Sequence, residues 1–259
     1  MCLFDRCARR VRLPAKGIAF VRYTTPEADG ARKRTGTRSG KHMGTETEIK
    51  LRVHDLKELR AALQRLGARS VFAGTGRVFE SNLLFDTPGN QLAKRGELLR
   101  IRTEKPVHHS SKRSEPGRER TLLTFKRPLA PKRSPAGAPS RDRHKVREEI
   151  ELQVQDAQAL EKIFEGLGLR GWFRYEKFRT TLQLPKSRRW AKGLLVELDE
   201  TPIGAFVELE GPPQAIDRVA RLLGFSKRDY IVTSYLGLYL QECRQRGEEP
   251  GHMVFQKGR

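Results

Sequence analysis

Cysteine is scarce in this chain of 259 residues: only Cys2, Cys7 and Cys243. None belongs to a C-x-x-C pair, and no Cys/His cluster has zinc-ligand spacing. This argues against a disulfide framework and a structural zinc, and fits a reducing cytoplasm. No apolar run approaches the roughly 18–20 residues of a membrane span, so no membrane partner is expected. The N-terminus lacks the apolar stretch of a secretory signal. No G-x-x-x-x-G-K-[ST] phosphate loop occurs, and no Ser-His-Asp arrangement suggests itself. Aromatic residues are 7% of the chain and do not interleave the basic loops, so a base-stacking platform for nucleic acid is missing there.

Positive charge, by contrast, is abundant. There are 52 Lys and Arg against 31 Asp and Glu, a net charge of +21. Such a balance favours a polyanionic partner. Residues 1–42 and 104–146 each carry a net +8. The first segment reads as a basic disordered extension, with an organelle transit peptide as the alternative and Met43 as a second candidate start. Segments 104–119 and 128–146 read as flexible loops, and 244–259 as a flexible tail. His108 and His109 fall in such a loop and are expected to be solvated.

The remaining chain alternates with period two. In T-E-T-E-I-K, residues 45–50, Glu46, Glu48 and Lys50 share one strand face, and Thr47 and Ile49 the other. The same separation places Arg100 with Arg102, Glu149 with Glu151, Lys177 with Arg179, Glu197 with Asp199, and Glu208 with Glu210. Lys126 lies near the end of T-L-L-T-F-K-R, where a slip of one residue would exchange it for Arg127. Glu197 could be a plain salt-bridge partner of an arginine.

An internal repeat organises these strands. Residues 149–168 lie over 48–67 without a gap, sharing Glu, Ile, Leu, Val, Asp, Leu, Leu and Gly. A weaker copy covers 207–224. Each copy is a charged strand, an amphipathic helix and Leu-Gly, which argues for one pseudo-symmetric domain over 44–243. A further helix is expected over 228–243.

Amphipathic helices need an apolar surface, and the strands offer one only on their uncharged faces. Roughly eight such strands tend to curl and close. The expected fold is therefore α+β: a closed antiparallel β-barrel of about eight strands, charged inside, with helices packed outside. Mixed charges in such a lumen are costly unless compensated. A polyanion carrying a divalent cation would satisfy both signs.

These residues resemble the CYTH superfamily, the triphosphate tunnel metalloenzymes. The likeness rests on Glu46-x-Glu48-x-Lys50 and continues through F-D-T-P, L-L-R-I-R, L-T-F-K, R-E-E-I-E, Y-E-K-F-R-T, L-D-E-T-P-I-G-A-F-V-E-L-E-G and S-Y-L-G-L-Y, in order, over 44–243. The family includes class IV adenylyl cyclases, thiamine-triphosphatases and inorganic triphosphatases. The resemblance implies that Glu46, Glu48, Glu208 and Glu210 hold Mg²⁺ or Mn²⁺. It implies that Lys50, Arg100, Arg102, Lys126, Arg147, Lys177 and Arg179 grip a triphosphate. Glu149, Glu151 and Asp199 would orient those bases or hold a second metal. Glu46, Glu48 and Lys50 are the candidate catalytic residues.

Three functions stay open at this point. The expected one is metal-dependent hydrolysis of tripolyphosphate, ATP or thiamine triphosphate. The second is cyclisation of ATP to cyclic AMP and pyrophosphate. The third is a non-catalytic polyphosphate- or RNA-binding module, against which the repeated acidic pairs count.

Overall fold

The computed structural model describes residues 42–71, 76–107, 119–129 and 144–256. Apart from His42, the N-terminal extension lies outside the described residues, as do His108, His109 and most of the two basic loops. The described chain runs β1 (His42–Val53), α1 (Leu56–Arg65), β2 (Arg69–Ser70), β3 (Arg77–Asp86), α2 (Gln91–Lys94), β4 (Leu98–Pro106), β5 (Arg120–Pro128), β6 (Lys145–Val154) and α3 (Ala157–Gly166). It continues with β7 (Arg170–Gln183), β8 (Leu195–Thr201), β9 (Gly204–Glu210), α4 (Pro213–Leu222) and α5 (Tyr235–Arg246).

The strands pair in the order β7-β3-β4-β5-β6-β1-β9-β8, and β8 returns to β7. All these pairings are antiparallel, so the sheet is a closed eight-stranded barrel with short β2 added to β7. Alternation then fixes which side chains face the lumen. The outward residues Ile49, Leu51, Val196, Leu198, Val207 and Leu209 are buried beneath Leu59 and Leu63 of α1 and Ala215, Ile216 and Val219 of α4. Each such aliphatic side chain contributes roughly 1.5–3 kcal/mol by leaving water. On another wall, Phe164 of α3 meets Phe85 of β3 edge-on at 5.0 Å, beside Ile101.

The sequence repeat is visible as local structure. Asp55 and Asp156 cap α1 and α3, accepting hydrogen bonds from Glu58 N–H at 3.0 Å and Ala159 N–H at 2.9 Å. Each cap leaves its strand in extended backbone and satisfies an otherwise orphaned helical donor. Beyond the two helices, Gly67 and Gly168 take φ of 77° and 80°, the left-handed geometry in which both chains turn back toward the barrel.

Three boundaries differ from expectation. Residues 104–106 extend β4 and 145–146 begin β6, so the loops are shorter at those ends. The last helix starts at Tyr235 instead of 228, because the β-branched stretch before it pairs with β1. Lys50 N–H donates to Ile231 C=O and Ile231 N–H to Lys50 C=O, both at 2.9 Å. The expected flexible tail is also placed through 256. The α5 helix continues to Arg246, and Met253 is fully buried, with its N–H on Arg174 C=O at 3.0 Å. Among the described residues, no helix is long and apolar enough to cross a membrane.

Candidate functional site

A cavity of about 840 Å³ occupies the barrel interior. Glu46, Glu48, Lys50, Arg100, Arg102, Lys126, Arg147, Glu149, Glu151, Lys177, Arg179, Glu197, Glu208 and Glu210 all line it. Asp199 is completely buried behind them. Every candidate site residue named from the sequence is thus on or directly behind the lumen wall. Lys126 is inside, whereas exposed Arg127 pairs with Glu148 at 2.6 Å, which settles the register of β5.

The β1 wall is laced with ion pairs. Lys126 Nζ reaches Glu46 at 2.6 Å and Glu149 at 3.1 Å. Glu48 accepts from Lys145 at 2.9 Å and from Arg147 at 3.2 Å, and lies 3.6 Å from Lys50. Lys50 in turn holds Glu208 at 2.9 Å. Register places these groups side by side, since Glu46 is opposite Arg147 and Lys50 is opposite Glu208.

On β7, β8 and β9 the charges form a dense knot around Asp199. Its carboxylate accepts from Lys177 at 2.9 Å, from Arg179 at 2.7 and 2.6 Å, and from the Tyr235 hydroxyl at 2.7 Å. Arg179 also pairs with Glu197 and Glu208. Glu80 adds a fourth carboxylate, 3.5 Å from Lys177 and 3.7 Å from Arg179.

The facing wall on β4, β5 and β6 is less saturated. Arg100 donates to the Tyr175 hydroxyl at 3.0 Å and to Thr124 at 3.1 Å, and Thr124 donates to Glu151 at 3.1 Å. No carboxylate pairs directly with Arg100 among the described residues, and its buried Nε has no hydrogen-bond partner. Arg147 Nε is likewise buried without one. Arg102 is held by Asn82 at 2.9 Å and by Glu80 and Glu104 at 3.4 Å.

Electrostatics separate the carboxylates. Burial alone would raise Glu48 and Glu208, but lysine neighbours outweigh it and hold both well below the usual range: Lys50 and Lys145 at Glu48, Lys50 and Lys177 at Glu208. Glu46 is raised, by burial and then by Glu48 and Glu149, against the opposing pull of Lys126. Burial raises Glu197 to about 7, with Glu208 and Asp199 adding to it against Arg179. Glu210 rises to about 8 through burial, Glu197 and Glu46. Negative charge is therefore under-compensated around Glu46, Glu197 and Glu210.

The donor set there is oxygen only, which suits a hard cation such as Mg²⁺ or Mn²⁺. As placed, the carboxylates are drawn onto lysines and arginines. Among the described residues, no three His, Cys, Asp or Glu side chains lie close enough together to hold a metal.

Residues 44–235 match the family model for the CYTH domain. The chain belongs to the CYTH family. Its relatives include a Methanocaldococcus jannaschii protein named "putative adenylate cyclase", 25% identical over 206 residues that cover 74% of this chain and 97% of that one. The PH1819 protein of Pyrococcus horikoshii has a similar fold, with a TM-score of 0.55 and 22% identity over 76% of this chain and 99% of that one. A hypothetical protein of Pyrococcus furiosus gives 0.53 and 23% over 74% and 98%.

Several lumen residues of this CYTH domain escaped the sequence reading. Glu80 and Asn82 alternate on β3, but E-S-N-L-L mixes polar and apolar residues on both faces and hides the inward one. Lys145 sits at the edge of a basic loop, whose charge masked its place on β6. Tyr175 and Tyr235 look like ordinary core aromatics. Their hydroxyls are what place them beside the charges, on Arg100 and Asp199.

Proposed function

We propose that this CYTH chain is a metal-dependent triphosphate-processing enzyme that hydrolyses inorganic or organic triphosphates within the barrel. The observation that carries this is Arg100: 5% exposed, without a carboxylate partner among the described residues, and aimed into a cavity lined by further cations. A guanidinium desolvated in this way is costly until an anion reaches it. A carboxylate-rich wall stands opposite, which binding of a polyanion alone would not require.

Arg100, Arg102 and Arg147 would take phosphate oxygens through their planar forks, and Lys50, Lys126, Lys177 and Arg179 would complete the grip. Glu149 and Asp199 orient the cations they bond, and Glu151 acts on Arg100 through Thr124. As phosphate oxygens displace carboxylates from Lys50 and Lys126, the released Glu46, Glu48 and Glu208 would join Glu210 as available oxygen ligands. A bound Mg²⁺ or Mn²⁺ would polarise a phosphoryl oxygen and favour an attacking hydroxide. Glu46 or Glu48, acting through the metal shell, would be the candidate to orient or deprotonate the attacking water.

Cyclisation of ATP is the second reading, favoured by the name of the M. jannaschii relative. There the ribose 3′-hydroxyl replaces water as nucleophile. Trp172, Leu98 and Leu236 line the cavity and pack around the Tyr175 and Tyr235 cluster, which offers an organic group an apolar seat beside Arg100. A cytoplasmic location accompanies either reaction, in keeping with the free, buried Cys243.

The test is incubation with tripolyphosphate or ATP, each with Mg²⁺ or Mn²⁺, while phosphate, pyrophosphate and cyclic AMP are assayed together. Phosphate without cyclic AMP supports hydrolysis. Cyclic AMP with matching pyrophosphate supports the cyclase. Glu46→Gln with Glu48→Gln should lower metal-dependent turnover at least ~10³-fold with the fold intact. Activity surviving that double change would overturn the metal assignment.

A further inference from the structure

The barrel has a seam. Pairing between β1 and β6 ends where Glu48 meets Lys145, and two residues later the same edge of β1 is taken over by Ile231. The wall carrying Glu48 and Lys50 is thus completed by two segments about 85 residues apart in the chain. Antiparallel β6 enters at Lys145, and the stretch before α5 arrives at Tyr230 and Ile231. Nothing in the strand pairing itself holds those two segments together.

A polar knot outside the lumen does so. His144, directly before β6, is buried, and its Nε2 lies 2.9 Å from Oδ1 of Asp217 on α4. The Tyr230 hydroxyl donates to the same Oδ1 at 2.9 Å, and Lys227 Nζ reaches Oδ2 at 2.9 Å. The His144 and Tyr230 rings are 5.8 Å apart, so the two segments also touch directly. Asp217 is held below its usual pKa by these partners, Lys227 and Tyr230 foremost, despite the opposing effect of its burial.

We propose that Asp217, with His144 and Tyr230, is a positioning device for the substrate-gripping wall: it staples the seam and thereby sets where Lys50 and Lys145 stand around Glu48. Each side of the seam leads directly into a residue of the lumen wall. On one side, Lys145 follows His144 and reaches Glu48 at 2.9 Å. On the other, Tyr230 precedes the Ile231 pair that fixes the backbone of Lys50, and Tyr235 follows four residues on, its ring 5.2 Å from Lys50 Nζ and 5.1 Å from Lys177 Nζ. Releasing Asp217 lets both segments shift against β1, and a misplacement of about 1 Å in a phosphate-binding cation is enough to weaken grip severely. None of the three residues faces the lumen, so the effect travels through the wall and not by contact with substrate.

The proposal rests on the triphosphate reading for its kinetic consequence and on geometry alone for the seam. The experiment therefore has two arms in the full chain. Hydrogen exchange at the Lys50 and Ile231 amides reads the seam, with the Val207 and Leu209 amides of β9 as reference. Tripolyphosphate turnover reads the grip. Asp217→Ala should speed exchange at Lys50 and Ile231 at least tenfold, leave the reference amides within about twofold, and raise KM about tenfold with kcat within about threefold. Asp217→Asn keeps an oxygen for His144 and Tyr230, loses only the Lys227 pair, and should restore most of the wild-type KM. Tyr230→Phe removes a single hydroxyl, tolerates folding best, and should give an intermediate effect in both arms. Exchange rising equally at all four amides, or at none, overturns the staple. Normal exchange together with normal KM in Asp217→Ala overturns it equally. If the wild-type chain turns over no triphosphate, the functional reading falls, and the exchange arm alone decides the seam.

Discussion

The two halves of the lumen wall hold similar side chains in opposite states. On β7, β8 and β9, Lys177 and Arg179 are enclosed by Asp199, Glu197, Glu208 and Glu80. On β4, β5 and β6, Arg100 meets only neutral oxygens, and Arg147 keeps a buried Nε without a partner. The first half carries more carboxylates than cations and the second more cations than carboxylates, and among the described residues only the second has buried, unused donors. A cation fully paired within the protein is already stabilised, so an incoming anion must compete for it. A cation left with hydroxyls gains most when the anion arrives. The first half therefore holds the barrel shut, and the second is poised for a ligand.

The largest effect should come from breaking the saturated half. Asp199→Ala leaves Lys177, Arg179 and the Tyr235 hydroxyl without their shared acceptor, with Asp199 itself 0% exposed. Removing one partner of such a buried network costs about 3–5 kcal/mol. Chemical denaturation should show that loss. A cost under about 1 kcal/mol would mean the knot contributes nothing to the fold.

The open half should respond in the other observable. Arg100→Met removes a buried charge without orphaning a carboxylate, so stability should hold within about 1 kcal/mol or rise. Affinity for tripolyphosphate should fall about tenfold to a hundredfold, because each tenfold corresponds to about 1.4 kcal/mol of charged contact. Equal affinity in Arg100→Met and wild type would erase the distinction between the halves.

Within the saturated half, Glu197 of β8 and Glu210 of β9 predict a pH dependence of the metal-free protein. Glu197 and Glu210 titrate near 7 and 8 when folded, against an ordinary 4.5. Between 4.5 and those values the folded chain binds protons that the unfolded chain has released, so stability falls as pH rises through that window. The lowered Glu48 and Glu208 act in the opposite sense, and only in acid. Thermal melts from pH 5 to 8 should show a falling Tm, and Glu210→Gln should flatten part of the slope. A Tm that rises over this range would show that the cluster is compensated.

The smallest effect concerns the apolar seat beside Tyr175. Trp172→Ala should raise KM for ATP several-fold and leave tripolyphosphate unchanged, since a bare phosphate chain has no apolar group to seat there. Equal changes for both substrates would remove the apolar seat from the account.

Much of this was legible because it is local. Glu46, Glu48 and Lys50 follow from alternation alone, and the paired strand-helix units follow from the repeat. Closure was legible from counting one-sidedly charged strands and asking where amphipathic helices could pack. The rest depends on distant partners. Met253 is buried because backbone bonds to Arg174 and Glu176 set it against Phe173 and Tyr175, and Ile231 leaves the helix to pair with the edge of β1 at Lys50. Glu80 was hidden by its neighbours on β3, and Asp217 by its place on a helix whose remaining pattern is that of simple packing. Local period reports a face, but not what stands across from it.

The return of β8 to β7 has a kinetic consequence. Strand β1 must find β9 across some 150 residues, and β3 must find β7 across about 90. Contacts so far apart in sequence are slow to form, because the loop entropy is lost before the pairing repays it. Until the last of those ladders zips, the lumen is an open trough, and its lysines and carboxylates remain hydrated. Desolvation of the charges therefore accompanies closure of the ring, whichever ladder forms last. A polyanion that enters the trough early would act as a template for folding, speeding the step at which the ring is sealed.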